Sequence, residues 1–390
     1  MNSTTGNQKL IKQINKNIVL QSIKNQGPIS RADISQNSGL NKGTVSSLVS
    51  ELIDQQLIYE CGIGQSKGGR RPVMLLFNET AGYNIGIDLG VNYILGILTD
   101  LQGQIVQEKE LRFPEGSKYD DIIKLLFEVI QDLIQSGPES VYGIVGIGIG
   151  VPGIVSKEGK VLMAPNLEWK DIHLKEIVEQ EFNIPVIIDN EANAGAYGEK
   201  HLGAGKDYQN IVYVSAGIGI GVGLILKNSL YRGLNGYAGE FGHMKVEMGG
   251  TKCRCGSQGC WEMYASEHTL LKEAKSHYPD ENLSLESIVQ QAENGDATAI
   301  HLFEKIGKYL GFGISNLINS FNPEQVILGN RLVMARKWIE PEMKKNITMH
   351  SLRFHLESLQ LDFSKKSVYS AALGVSTFTA ENFLSGKESM

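Results

Sequence analysis

At 390 residues the chain is long enough for two or three domains. Apolar residues make up 42% and charged residues 21%, values of a soluble globular protein, and no uncharged apolar run approaches the length of a membrane span. The net charge of −6 is unevenly spread: residues 1–75 hold nine Lys and Arg against four acids, so a basic head precedes an acidic body, which suits a head that meets phosphate. The first seven residues are polar and lead into a charged amphipathic segment, unlike a signal peptide, so a cytoplasmic location is expected.

The first predicted helix covers about Gln8–Lys24, with Ile11, Ile14 and Ile18 expected to pack over the segment that follows. Ser30-Arg31-Ala32-Asp33 has the form of a capping box with Ser30 as N-cap, and predicts a short helix to about Asn37. Ser38-Gly39-Leu40 makes a tight turn, after which Asn41 caps another helix. Val45, Leu48, Val49, Leu52 and Ile53 recur at helical spacing and form its buried face. The opposite face carries Lys42, Thr44, Ser46, Ser47 and Ser50, which together with Arg31 and Asn41 are candidates to touch base edges and phosphates. Leu57–Glu60 and Val73–Leu76 then alternate as a small hairpin. Its Gly-rich tip, residues 64–72, brings Lys67, Arg70 and Arg71, the composition of a wing that follows a phosphate ridge or enters a minor groove. Residues 1–78 are therefore expected to form a winged helix-turn-helix that binds DNA. The competing reading is a three-helix protein-interaction module with a solvated basic loop.

From Tyr83 onward glycine becomes frequent and strands alternate with helices. Strands are predicted at Asn84–Leu89, Tyr93–Thr99, Tyr142–Val151, Val186–Ile188, Ile211–Val214 and Val222–Leu226. Helices are predicted at Asp120–Gln135, Leu174–Glu181, Glu191–His201, Thr298–Ser320 and Ser370–Asn382, an α/β pattern. Gly148-x-Gly150-x-x-Gly153 matches a dinucleotide fingerprint, but Pro152-Gly153 makes a turn and the next residues read as a strand. The fingerprint needs a helix there, so that reading is set aside.

Three of the four cysteines, Cys253, Cys255 and Cys260, fall within eight residues, which favours a metal over a disulfide in a cytosolic protein. With His243 they make a Cys₃His set of the closed, structural zinc kind. Such an ion would fix Glu240 and Glu262, two carboxylates able to accept hydrogen bonds from sugar hydroxyls.

Gly239-Glu240-Phe241-Gly242-His243 followed by C-x-C-G-x-x-G-C-x-E, from Cys253 to Glu262, resembles the signature of the ROK family, which groups sugar kinases with repressors. The resemblance covers nearly the full length, and with its head the chain is similar to the bacterial xylose repressors within the family. It implies an actin-like, two-lobed body over residues 82–390, with the C-terminal helix returning to the first lobe. It implies that His243 both ligates zinc and touches sugar. It aligns Glu191, within Asp189-Asn190-Glu191-Ala192-Asn193, with the aspartate that acts as general base in the kinases. One methylene more displaces the carboxylate by about 1 Å, which catalytic geometry tolerates poorly. Asn190 and Asn166 complete the expected sugar contacts, a turn cap after Pro165 being the alternative reading of Asn166.

The nucleotide motifs depart from the family. Asp88-Leu89-Gly90-Val91-Asn92 lacks the threonine and second glycine of the first phosphate hairpin. In the second loop, Gly217–Gly223, Ile218 replaces a hydroxyl donor and Val222 adds bulk where backbone should approach phosphate. Ile327-Leu328-Gly329-Asn330-Arg331 keeps one glycine of a usual pair. ATP is therefore not expected as a ligand. The expected protein is a non-enzymatic homodimeric repressor that leaves operator DNA when D-xylose, or a related small sugar, enters the cleft. The alternative is a sugar kinase with an accessory DNA-binding head.

Overall fold

A computed structural model describes residues 8–63, 71–279 and 283–386. The chain opens with α1 (Gln8–Gln26), β1 (Ile29–Ser30), α2 (Arg31–Ser38), α3 (Lys42–Asp54), β2 (Ile58–Ile63) and β3 (Val73–Phe77). The three strands form an antiparallel sheet in the order β1-β3-β2. Ser30 caps α2: its Oγ accepts from the Asp33 N–H at 3.2 Å, and the Asp33 carboxylate accepts from the Ser30 N–H at 3.3 Å. Gly39 ends α2 at φ 72°, a left-handed conformation that a side chain would strain. Asn41 Oδ1 accepts from the Thr44 N–H at 2.8 Å and so starts α3.

The packing of α1 differs from expectation. Val19, Leu20 and Ile23 are buried, whereas Ile11, Ile14 and Ile18 are 51, 50 and 38% exposed. The helix meets the head's core through its C-terminal half. Its first turns run past that core, leaving Ile11 on an open groove beside Thr44 and Leu48.

The body follows as β4 (Tyr83–Leu89), β5 (Tyr93–Asp100), β6 (Ile105–Arg112), α4 (Tyr119–Ser136), β7 (Ile144–Val151), β8 (Ile154–Val155), β9 (Val161–Ala164), β10 (Trp169–Ile172), α5 (Leu174–Phe182), β11 (Val186–Asn190) and α6 (Glu191–Leu202). Then come β12 (Ile211–Ala216), β13 (Ile220–Leu226), β14 (Ser229–Leu230), α7 (Glu262–Ala265), α8 (Glu267–Ala274), α9 (Leu285–Glu293) and α10 (Ala297–Phe321). The chain closes with β15 (Gln325–Gly329), α11 (Arg336–His350), α12 (Arg353–Leu356), β16 (Gln360–Phe363) and α13 (Ser370–Ser385).

Two five-stranded sheets organise these elements, β11-β7-β4-β5-β6 and β14-β13-β12-β15-β16. Each is a three-stranded antiparallel meander extended by two parallel strands, so the lobes repeat one topology. In the first, α4 lays Ile122, Leu126, Val129 and Leu133 against the sheet, the i, i+4, i+7, i+11 face of an amphipathic helix. In the second, α10 and α11 supply most of the core with the β12–β13 hairpin and Trp261. Because β8 follows Gly153 directly, no helix N-terminus stands at the dinucleotide-like motif.

The last helix, α13, returns to the first lobe and also packs along α6. Gly374 permits this approach, since a Cβ there would overlap the Ala194 carbonyl. Beyond the lobe, Leu384 of α13 and Leu101 of the β5–β6 turn enter the core of the N-terminal head. Polar contacts reinforce the seam. Gln13 Nε2 donates to the Ser385 carbonyl at 2.9 Å, Lys24 Nζ to the Leu101 carbonyl at 2.9 Å, and the Tyr142 hydroxyl to the Gln55 carbonyl at 2.8 Å. Among the described residues, no helix is long and apolar enough to cross a membrane.

Candidate functional site

A cavity of about 260 Å³ opens between the lobes. Every candidate sugar residue borders it: Asn166, Asn190 and Glu191 from the first lobe and α6, and Glu240, His243 and Glu262 from the second. Their polar atoms are not equally free. Asn190 is the N-cap of α6, its Oδ1 accepting from the N–H groups of Ala192 and Asn193 at 2.9 and 3.1 Å, while its Nδ2 donates to the Gly153 carbonyl at 2.9 Å. One amide hydrogen remains for a ligand. Glu191 accepts from the Ser215 hydroxyl at 3.0 Å, and Ser215 in turn accepts from Asn330 Nδ2 at 3.0 Å. Burial, reinforced by the charge of Asp88, pushes the Glu191 carboxyl up to about 8. Burial also raises Glu240 from the ordinary carboxylate value, His243 opposing and Glu262 adding to the shift.

The side chains of His243, Cys253, Cys255 and Cys260 converge, all four ligand atoms lying within 4.8 Å of one another. The geometry fits one tetrahedral ion: Cys255 Sγ and Cys260 Sγ are 3.7 Å apart, against about 3.8 Å for two thiolates at tetrahedral metal–sulfur distances. His243 turns Nδ1 toward the thiols, 3.6 Å from Cys253 Sγ, and leaves Nε2 facing the cleft, 3.9 Å from Glu240 Oε2. One imidazole thus reaches both the metal position and the cavity. Lys245 donates to Cys260 Sγ at 2.9 Å, a positive charge where three thiolates would gather. Gly259 makes the loop possible, since at φ 74° a side chain would be strained and its Cβ would overlap the Glu247 carbonyl.

The neighbouring space, where the nucleotide motifs converge, is only about 50 Å³. Two side chains form part of its walls: Tyr93, which no motif announces, and Arg331, the last residue of the nucleotide turn. Tyr93 lies over Gly90 and donates its hydroxyl to Asp88 Oδ2 at 2.7 Å. Burial lifts the Asp88 carboxyl to about 7, with that hydrogen bond opposing. Arg331 is held by Glu267 at 2.9 Å and Glu286 at 3.1 Å, the first glutamate buried and the second partly exposed. Val222 does not act as expected. It packs in the core of the second lobe and borders the interlobe cavity, not the smaller space where the nucleotide motifs converge.

In the head, Asn41, Lys42, Ser46, Ser47 and Ser50 are exposed on one side of α3, and Thr44 is half-buried beside them. Arg31 is engaged at 3.0 Å by Glu60 of β2, which holds the guanidinium to the sheet. Arg71 is exposed at the start of the returning strand. Lys67 and Arg70 lie outside the described residues.

Sequence reasoning did not single out Tyr93, Ser215, Arg254, Glu267 or Glu286. Tyr93 stands one residue past the phosphate hairpin motif and carried a weak signal. Ser215 and Arg254 lie beside or within quoted motifs at positions those motifs leave open, and Glu267 and Glu286 are brought in by tertiary packing.

A profile of the ROK family matches residues 84–381. The chain is 44% identical over 377 residues to the xylose repressor of Bacillus subtilis, covering 97% of each. A crystal structure of a ROK family transcriptional regulator, a homologue of the Escherichia coli MLC protein, superposes with a TM-score of 0.81 at 30% identity, covering 96% of this chain and 97% of that one. A ROK family glucokinase from Streptomyces griseus, solved with glucose and AMPPNP, superposes with a TM-score of 0.69 at 27% identity, covering 76% of this chain and 99% of the kinase. Profile, full-length identity and fold agree, and the chain belongs to the ROK family.

Proposed function

We propose that this protein is a sugar-responsive transcriptional repressor of xylose-utilisation genes that binds operator DNA as a homodimer and leaves it when D-xylose fills the interlobe cleft. The observation that carries the reading is the contrast between two adjacent cavities. One, of about 260 Å³, is lined by carboxylates, an imidazole and amides suited to sugar hydroxyls. The other, of about 50 Å³, is walled in part by Tyr93 and by Arg331, which Glu267 holds in place. The full-length likeness to a xylose repressor, head included, supports the same reading.

Residues 1–78 act as a winged helix-turn-helix, with α3 as the element that enters the major groove and the β2–β3 hairpin as the wing. Residues 82–390 act as the sensor. The metal is zinc, for which three thiolates and one imidazole are a structural donor set. When bound, it fixes the loop that presents His243, Glu240 and Glu262. A sugar hydroxyl can then donate to Glu240 and to Glu262, and accept from the free Asn190 amide hydrogen. Glu191, raised to about 8, is mostly protonated at neutral pH and can donate to a sugar oxygen.

Closure moves the lobes, and α6 carries the movement because it starts at Glu191. The Tyr197 hydroxyl of α6 donates to Glu381 of α13 at 2.5 Å, and the end of α13 holds α1. Coupling of about 1–3 kcal/mol is usual for such a link, and by reciprocity operator DNA weakens sugar binding.

The test is a gel shift on DNA from upstream of xylose genes, titrated with xylose, glucose and N-acetylhexosamines. Release by xylose at lower concentration than by the others is expected. ADP formation from ATP and any of these sugars at about 1 s⁻¹ or faster would establish the alternative, a ROK sugar kinase with a DNA-binding head, which the likeness to the glucokinase keeps worth measuring.

A further inference from the structure

Arg254 stands between two of the clustered cysteines, on the second lobe, yet both of its partners belong to the first. Its Nη1 donates to Asn166 Oδ1 at 3.1 Å, and its Nη2 pairs with Glu115 Oε1 at 2.9 Å. Glu115 lies in the connection from β6 to α4, and Asn166 follows β9. Arg254 and Asn166 also line the interlobe cavity. The guanidinium therefore spans the mouth of the cleft.

Two consequences follow from this geometry. With Oδ1 of Asn166 turned toward a cation, the amide presents Nδ2 on its other side, so Arg254 sets which way this residue turns its donor. The fork also ties the Cys253–Cys255 loop to the opposite wall, so the lobes cannot part without breaking two charge-assisted contacts. An arginine on a loose loop gains little from an exposed partner, because ordering its long side chain costs what the contact returns. Here the flanking residues are already fixed by the cysteine–histidine cluster, which lowers that cost.

We propose that Arg254 is a positioning residue that latches the cleft closed across Glu115 and sets the orientation of Asn166 for the sugar. The proposal rests on the sugar-cleft reading above. It is tested by calorimetric titration of D-xylose into the full-length protein and into Arg254→Ala, Glu115→Ala, the double variant and Arg254→Lys. Each alanine variant should raise Kd about two- to fivefold, and the double variant should be no weaker than the weaker single one. Arg254→Lys should restore part of the affinity, since a point charge keeps the pairing with Glu115 but not the fork. The wild-type Kd should rise between about 50 mM and 500 mM salt, while that of the double variant should rise less. Metal content per chain should be unchanged throughout. Wild-type affinity in both single variants, or effects that multiply in the double variant, would overturn the latch alone. A wild-type protein that binds no sugar would overturn the cleft reading beneath it.

Discussion

Replacing Glu191 by Gln should stabilise the protein at neutral and alkaline pH and leave it unchanged in acid. Asp88 and Glu191 are drawn into the seam between the lobes with neutral hydroxyls as their hydrogen-bond partners, Tyr93 and Ser215. Burial therefore raises them to about 7 and about 8, from ordinary values of 3.8 and 4.5. Between about pH 4.5 and 8 the folded protein holds protons that the unfolded chain has released, so its stability must fall as pH rises through this window. For Glu191 alone the loss by pH 7 amounts to about 3 kcal/mol at most, because a tenfold change in proton affinity is worth about 1.4 kcal/mol. Glutamine keeps the acceptor for the Ser215 hydroxyl and removes the ionisation. Urea denaturation of both proteins from pH 5 to pH 8 measures the difference. The stability gap should be a little under about 1 kcal/mol at pH 5 and widen steadily with pH. Parallel curves would show that Glu191 ionises without penalty, and would refute the argument that burial holds its proton.

Glu240→Ala removes a carboxylate that faces the cavity and should weaken sugar binding about tenfold or more, leaving operator affinity without sugar intact in a gel shift. Cys260→Ser takes a fully buried ligand from the metal cluster. Elemental analysis should then find less than one zinc per chain, and the sugar response should be lost with it. Arg71→Ala should weaken DNA binding on all sequences and flatten the dependence of log Kd on log salt by about 0.9, one phosphate contact.

Elements with strong local rules were readable before the structure. The capping box at Ser30, the turn at Gly39 and the cap at Asn41 are written in consecutive residues, and each forms as expected. The metal cluster was legible for the same reason, since three of its four ligands lie within eight residues. The head's first helix was misjudged because Ile11, Ile14 and Ile18 satisfy helical spacing as well as Val19, Leu20 and Ile23 do. Periodicity names an apolar face but cannot say how far along the helix its partner extends. Val222 was misjudged because a motif aligns residues, whereas strand alternation decides which face each one meets. The Arg331–Glu267–Glu286 cluster and the Arg254 fork join segments far apart in sequence, and no local pattern announces such pairings.

The hydrophobic interior of the head is completed by residues it does not encode. Leu101 and Leu384 come from a turn of the first lobe and from the far end of the chain. A chimera that exchanged only residues 1–78 between relatives would set foreign side chains against both. The unit that can be transplanted is the head together with its docking patch on α13 and the β5–β6 turn. A change of sequence in the first 78 residues is thus physically constrained by what the far end of the chain can accommodate.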